Sequence, residues 1–309
     1  QARLCDLECR AVNFSYFFLL LFLWSSHALG EPLTVYFMVG QDPSFPGEIL
    51  DGIQKQLEAR SAARVSKSRF DGIFRQNELV VAFGVEGAKA ALSLDPRIPV
   101  LSIFVPRKIF QEIVSGKEKR QVTAIYIDQP FSRQMALARL AFPGRHRIGV
   151  MLGPDSRTDI QSLRQASTGR GLQIAVGVTA SRSDLFSGLE ALLRDSDVIL
   201  AVPDPQVFNS GTISGILLTA YRYNVPLMGF SPSYVKAGAL IALYSTVEQV
   251  GWQVAEAVSA FSSSGILPQP AYPAYFTVGV NRYVARSMGI EIQDEATFEE
   301  KLSHMGGAP

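Results

Sequence analysis

The chain has 309 residues, of which 47% are hydrophobic and 18% are charged, and its formal net charge is +1. The low charged share excludes an intrinsically disordered chain and allows a large buried core, and the length predicts roughly two domains of about 150 residues each. The near-neutral charge gives no reason to expect nucleic acid or an anionic membrane surface as a partner.

The N-terminal 30 residues have the pattern of a secretory signal peptide. Arg10 precedes an apolar run over residues 14–24, and small residues follow it. This run is shorter than the ~20 residues that a membrane-spanning helix needs. We therefore predict that residues 1–30 are cleaved and that the mature protein is periplasmic or otherwise extracytoplasmic. Cys5 and Cys9 lie in this segment, so the mature chain is expected to have no disulfide, thiol nucleophile or cysteine metal site.

Apolar runs of strand length alternate with stretches of helical periodicity along the rest of the chain. The predicted strands are 33–40, 79–83, 100–105, 122–127, 148–152, 172–178, 198–202, 226–230, 239–244 and 275–280. The predicted helices are 48–59, 88–94, 131–142, 158–169, 183–194, 208–224, 247–261 and 281–288. The acidic segment 291–300 is predicted to be peripheral. Two successive sets of alternating elements predict an α/β fold with two doubly wound parallel-sheet lobes joined by a hinge.

Several predicted strands end in polar or glycine residues, and ligands meet α/β sheets at the carboxyl ends of the strands. The candidate ligand-binding residues are Gln41, Gly84, Glu86, Asp128, Asp204 and Ser231. Each has an alternative. Asp204 could be only the cap of the following helix, Asp128 could be a hinge cap, and Ser231 could be only a turn residue. The glycine could mark a tight turn, and the glutamine and the glutamate could be solvated.

The residues that would carry catalysis are not arranged for it. His146 and His304, the only histidines after residue 30, are far apart in sequence, so neither a histidine metal site nor a Ser-His-Asp triad is expected. Gly211-Thr-Ile-Ser-Gly215 resembles a nucleophile elbow, but its serine is one place late and falls in a predicted helix. We interpret these as small residues for close helix packing. We predict a protein that is not an enzyme and has no metal or cofactor.

The second half of the chain resembles a known family. Val198-Ile-Leu-Ala-Val-Pro-Asp-Pro, then Tyr223-Asn-Val-Pro-Leu-Met-Gly-Phe-Ser, then Val235-Lys-Ala-Gly-Ala-Leu-Ile-Ala-Leu-Tyr-Ser follow in the order found in substrate-binding proteins of ABC transporters. These proteins have the type I periplasmic-binding fold, and the similar subgroup is associated with aromatic amino acids and related small ligands. Where this family often has Gly-Thr-Pro, the chain has Gly84-Val85-Glu86, and Val85 has no hydroxyl for a ligand carboxylate. Arg107, after the next predicted strand, could instead meet an anion, or it could simply be solvated.

The resemblance implies a small-molecule ligand held between two lobes that hinge shut on it, with three crossings of the chain between them. Lobe one would hold residues 31–144 and about 246–268, and lobe two would hold 145–245 and about 269–309. The implied partner is an ABC permease in the membrane, and the protein is expected to be a monomer or a weak dimer that binds no nucleic acid. The alternative is a periplasmic sensory module that signals to a membrane partner without transport. An extracytoplasmic hydrolase ranks last.

Overall fold

A computed structural model describes residues 32–40, 47–66, 70–73, 75–117 and 120–305. The predicted signal peptide and Gln41 lie outside the described residues. The strands are β1 Thr34–Val39, β2 Arg64–Ser66, β3 Glu78–Phe83, β4 Val100–Val105, β5 Val122–Tyr126, β6 Arg147–Leu152, β7 Gln173–Val178, β8 Val198–Leu200, β9 Leu227–Gly229, β10 Ile241–Tyr244 and β11 Thr277–Val280. The helices are α1 Gly47–Arg60, α2 Gly84–Leu92, α3 Arg107–Val114, α4 Phe131–Ala141, α5 Ile160–Ser167, α6 Arg182–Arg194, α7 Ile213–Arg222, α8 Pro232–Ala237, α9 Val247–Ser264, α10 Arg282–Ser287 and α11 Glu295–Met305, and a 3₁₀ turn spans Arg157–Asp159.

The described strands form two sheets with the same winding. The first sheet has the order β2-β1-β3-β4-β5 and is parallel throughout. The second has the order β11-β10-β9-β8-β6-β7 and is parallel except where β11 pairs with β10. Each sheet begins at an inner strand, moves to one edge and then winds to the other, which is the doubly wound arrangement. The predicted α/β class with two parallel-sheet lobes is confirmed.

Two helices pack on the other sheet than the one whose strand immediately precedes them in the chain. Val250, Val254 and Val258 of α9 share a buried core with the strands of the first sheet, although α9 follows ten strands. Conversely, Met135 and Leu137 of α4 are buried with the strands of the second sheet. The sequence-based division, with its boundary near residue 144, assigns α4 to lobe one. In the structure the chain has already reached the core of the second sheet when α4 begins.

The C-terminal acidic segment is part of the core, and its prediction as peripheral is wrong. Phe298 and Leu302 of α11 are buried in the hydrophobic core of the second sheet, with relative exposures of 0% and 2%. They are four residues apart and therefore lie on one face of the helix, while acidic side chains occupy the other faces. The carboxylate of Glu299 also accepts a hydrogen bond from the backbone N–H of Val278 in edge strand β11, at 2.9 Å.

Three short elements were not predicted from the sequence, namely β2, α3 and α8. Each has eight residues or fewer, so none contains enough periods for a reliable pattern. Among the described residues, no helix combines the length and the apolar character that crossing a membrane requires.

Asp197 joins the starts of two neighbouring strands, β6 and β8. Its Oδ2 accepts hydrogen bonds from the backbone N–H groups of His146, at 2.9 Å, and Arg147, at 2.8 Å, and its Oδ1 accepts one from the Arg147 guanidinium at 2.9 Å. Burial acts to raise the pKa of Asp197, but these hydrogen bonds outweigh it and lower the pKa to about 2. The folded-state pKa therefore lies below the ordinary value of 3.8.

We expect Asp197→Asn to remove an acid-sensitive part of the stability. A carboxylate with a lowered pKa contributes stability that is fully present above its unfolded-state pKa and is lost as the pH falls through the folded-state pKa. The variant should lose about 1 kcal/mol of unfolding free energy at pH 7, after allowance for solvent screening, and should show less dependence on pH between about 4 and 2. Urea unfolding across this pH range measures both effects. Exposed Asp195→Asn is the control, and equal profiles for the two variants would contradict the assignment.

Candidate functional site

The carboxyl ends of the two sheets face each other. Lys108 lies in the first turn of α3, which follows β4 of the first sheet, and Asp155 lies in the loop after β6 of the second sheet. The Lys108 Nζ donates a hydrogen bond to the carbonyl oxygen of Asp155 at 2.6 Å. Because ligands of doubly wound sheets bind beyond the carboxyl ends of the strands, the cleft between these two edges is the candidate site.

Asp204 is buried at the point where the winding of the second sheet reverses, between β6 and β8. Its relative exposure is 2%. Its Oδ2 accepts hydrogen bonds from Asp155 N at 3.1 Å, Ser156 N at 3.0 Å and Ser156 Oγ at 2.8 Å, and its Oδ1 accepts one from Gln206 N at 2.9 Å. A Cβ atom on Gly153 would lie 2.5 Å from Oδ1, so only glycine allows this approach. The carboxylate thus ties together the loops that follow β6 and β8.

The alternative in which Asp204 caps the following helix is wrong. Helix α7 begins at Ile213 with Thr212 as its N-cap, and not at residue 208 as predicted. The intervening turn is closed by the carbonyl of Asp204, which accepts hydrogen bonds from the N–H groups of Val207 and Phe208 at 3.1 and 2.8 Å. Direct contact of Asp204 with a ligand stays a prediction.

Asp128 follows β5 and caps helix α3. Its Oδ2 accepts a hydrogen bond from the backbone N–H of Arg107 at 2.6 Å, whereas Pro106, the N-cap residue, has no side-chain hydrogen bond to offer. A β-bulge at Phe104, with φ of +56°, turns the end of β4 toward this contact. Burial raises the pKa of Asp128, and the hydrogen bond from Arg107 opposes that shift.

Gly84 and Glu86 lie where the winding of the first sheet reverses, between β1 and β3. Gly84 has φ of +68° and starts α2 directly after β3, so the glycine serves this tight strand-to-helix turn. Glu86 is exposed and forms an ion pair with Lys89 at 2.8 Å. A Cβ atom on Gly40 would lie 2.4 Å from the Glu86 Cβ, so the end of β1 packs closely on the first turn of α2.

Ser231 follows β9 at the carboxyl ends of the strands of the second sheet. It occupies the N-cap position of the short helix α8, and its Oγ lies 3.0 Å from the Oγ of Ser233. The structure therefore brings Asp204 and Ser231 to one sheet edge and Gly84, Glu86 and Asp128 to the other. Whether these residues contact a ligand stays a prediction.

Aromatic residues at both edges were not predicted. On the first sheet, the ring centroids of Tyr126 and Tyr272 are 5.4 Å apart, and the Arg107 guanidinium donates to the Tyr272 hydroxyl at 3.2 Å. On the second sheet, the centroids of Phe230 and Tyr234 are 4.5 Å apart, and burial raises the pKa of Tyr234 to about 12. Tyr126 and Phe230 stand at strand ends beside predicted residues, which is the signal that could have identified them.

Charged residues that sequence reasoning also missed influence one another across the cleft. Asp159, in the 3₁₀ turn of the second lobe, is partly buried, and this burial raises its pKa. The positive charge of Lys108 opposes the shift, whereas the negative charge of Asp128 adds to it. Side chains from both lobes therefore share one electrostatic environment.

Hydrogen bonds join the segments through which the described chain passes between the two sheets. The Gln129 side-chain amide donates to Ser245 Oγ at 2.8 Å, and that hydroxyl donates to the carbonyl of Tyr275 at 2.6 Å. Arg133 donates to Gln129 Oε1 at 2.6 Å and to the carbonyl of Pro273 at 2.9 Å. The three crossings, at residues 127–130, 245–246 and 272–276, thus form one hydrogen-bonded hinge region.

The segment 211–215, which resembles a nucleophile elbow in sequence, has a structural role. Ser214 is an exposed residue in the first turn of α7, not a residue at a strand-to-helix turn. A Cβ atom on Gly215 would lie 2.7 Å from the ring of Phe186, which confirms the interpretation of close helix packing. Within the described part of the chain, no group of three or more His, Cys, Asp or Glu residues could hold a metal ion.

Most of the chain matches the sequence pattern of one protein family. The sequence pattern of a family described as "ABC transporter substrate binding protein" matches residues 53–300. No curated protein matches the chain in sequence.

Solved structures share its fold at low sequence identity. An ABC domain from Streptococcus pneumoniae in complex with L-Trp has a TM-score of 0.60 at 15% identity, and the match covers 87% of this chain and 98% of that one. CD0873 from Clostridium difficile, a substrate-binding protein with adhesive properties in a ligand-free, open structure, has a TM-score of 0.67 at 16% identity, with 84% and 96% covered. A conserved domain protein from Vibrio cholerae has a TM-score of 0.58 at 19% identity, with 86% and 97% covered. At these identities the likeness establishes the fold alone.

Proposed function

Since the chain belongs to the family of ABC transporter substrate-binding proteins, we propose that it captures a small molecule between its lobes and delivers it to an ABC permease. The observation that carries the proposal is the opposition of the two carboxyl edges, with Lys108 of one lobe in contact with Asp155 of the other at 2.6 Å. The hydrogen-bonded crossings at Gln129 and Ser245 supply the hinge about which such a cleft closes.

In this proposal lobe one comprises the first sheet with α9, and lobe two comprises the second sheet with α4 and the C-terminal helices. The protein is exported after cleavage near residues 28–30 and works as a monomer or weak dimer. We expect it to perform no reaction on its ligand, because the family to which it belongs consists of substrate-binding proteins. The bound molecule is therefore released unchanged.

An aromatic amino acid is a candidate ligand. A protein of the same fold is in complex with L-Trp, and aromatic side chains stand at both edges of the cleft here, such as Tyr126 and Phe230. Val85 has no hydroxyl to donate to a ligand carboxylate. Exposed Arg107, at the same sheet edge, has a guanidinium whose geometry matches a carboxylate and would take over that role.

The direct test is mass spectrometry of small molecules that the purified protein releases on denaturation. We expect the protein to release one compound of low molecular weight in near-stoichiometric amount. When this compound is added back to the protein it should stay chemically intact, and calorimetry then measures its affinity. Arg107→Gln should weaken binding of an anionic compound by roughly tenfold, as expected for a lost charge-assisted hydrogen bond. The control is Arg164→Gln, an exposed arginine on α5 whose replacement should leave affinity unchanged. A compound that is converted to product, or none that binds at all, would contradict a solute receptor.

A further inference from the structure

The contact between Lys108 and Asp155 joins lobes that the hinge would otherwise leave free to separate. Asp155 is held on both of its backbone polar groups. Its N–H donates to the buried carboxylate of Asp204 at 3.1 Å, and its carbonyl accepts from Lys108 at 2.6 Å. The acceptor for the lysine is thus a carbonyl on a fixed loop, not a mobile side chain.

The charge of Lys108 also acts on a carboxylate that follows this contact in the chain. Asp159 belongs to the 3₁₀ turn that follows Asp155, and its carboxylate accepts no hydrogen bond from any residue that the structure describes. Lys108 is the strongest attractive charge acting on it, followed by Arg107, while Asp128 and Asp204 repel it. When the lobes are together, the lysine donates a hydrogen bond to the loop, and its positive charge also attracts the Asp159 carboxylate without forming a direct ion pair with it.

We propose that Lys108 is a latch that sets the balance between open and closed lobes, with the Asp155 carbonyl as its acceptor and Asp159 as its counter-charge. Opening the cleft separates the lysine from both, so the latch favours the closed form before any ligand enters. A receptor whose closed form is more populated binds more tightly, because less free energy is needed to reach the binding-competent state. This inference rests on the proposed closing cleft and identifies the residue that tunes it.

The latch can be tested on the empty protein. Cys5 and Cys9 are the only cysteines of the chain and lie in the segment proposed to be cleaved, so the mature protein is a cysteine-free background into which spin labels are placed at exposed Glu112 of α3 and exposed Arg164 of α5. Double electron–electron resonance then reports the distances between the lobes. We expect Lys108→Met to lower the ratio of short to long distances by roughly threefold to tenfold, as befits a charged hydrogen bond with partial solvent exposure.

Lys117→Met is the matched control, because the Lys117 Nζ also donates to a backbone carbonyl, that of Ile113 at 3.1 Å, but within its own lobe. Its distance distribution should equal that of the parent. Lys108→Glu should open the cleft further by repulsion from Asp159, and adding Asp159→Lys should restore part of the short-distance population.

Two results would overturn the proposal. One is a Lys108→Met distribution that equals that of Lys117→Met. The other is a double variant as open as Lys108→Glu alone, which would remove Asp159 from the latch. Neither measurement uses a ligand. Failure to recover a bound compound would therefore count against the receptor function without affecting the latch, and an unchanged distance distribution would count against the latch alone.

Discussion

Replacing Asp204 with alanine is expected to lower the free energy of unfolding by about 3–5 kcal/mol. Its carboxylate accepts four hydrogen bonds, from Asp155, Ser156 and Gln206, in a site with 2% exposure. Alanine leaves these donors without an acceptor, and an unsatisfied buried donor costs ~1–3 kcal/mol. Partial entry of water makes the total smaller than the sum. Urea unfolding followed by circular dichroism gives the value.

Two further substitutions separate the carboxylate from the loop that it holds. Asp204→Asn keeps the shape of the side chain but replaces one oxygen with an NH₂ group, which cannot accept a hydrogen bond. The remaining oxygen can serve only some of the donors, and the NH₂ group faces the others. We expect about half of the loss seen with alanine. Asp155→Asn is the control, because that side chain is exposed and only its backbone bonds Asp204, and such surface changes stay within about 0.5 kcal/mol. If Asp204→Ala also changed the free energy of unfolding by no more than about 0.5 kcal/mol, the loops after β6 and β8 would not depend on its carboxylate.

The strands were predicted well because parallel strands are buried on both faces of the sheet. A strand covered on both faces is a continuous apolar run, and β3, from Glu78 to Phe83, is buried at every position. Such runs end where glycine, proline or a polar residue begins the next turn. The helix ends were less accurate, as at α7, because the turn after Asp204 satisfies the backbone groups that the helix would otherwise have used.

The edges that form the cleft were predicted, but the contacts across it were not. Strand ends follow from the local sequence, which is why Asp128, Asp204 and Ser231 lie at sheet edges as expected. Hydrogen bonds between loops depend on which segments the fold brings together. Lys108 and its acceptor are 47 residues apart in sequence, and a single lysine near the start of a helix has the pattern of a solvated residue. Nothing in the sequence around Lys108 indicates that its acceptor lies in the other lobe.

Replacing Phe298 with alanine is the second change with a large expected effect. The ring is fully buried, with 0% exposure, against the core of the second sheet. Truncating a buried phenylalanine removes its transfer free energy and leaves a cavity, which together cost ~3–5 kcal/mol. We expect this loss of unfolding free energy, with a smaller loss of about 2–4 kcal/mol for Leu302→Ala.

The control for Phe298 lies on the opposite face of the same helix. Glu300 is exposed, and its replacement by alanine should change stability by less than about 0.5 kcal/mol. Thermal and urea unfolding of the three variants compares the two faces directly. If Phe298→Ala unfolds like Glu300→Ala, then α11 is a dispensable tail, as its acidic composition suggested. If instead Phe298→Ala lowers the free energy of unfolding by several kcal/mol, the two apolar side chains four residues apart outweigh the charges around them. The free energy of burial then depends on the face of the helix that packs and not on the composition of the whole segment.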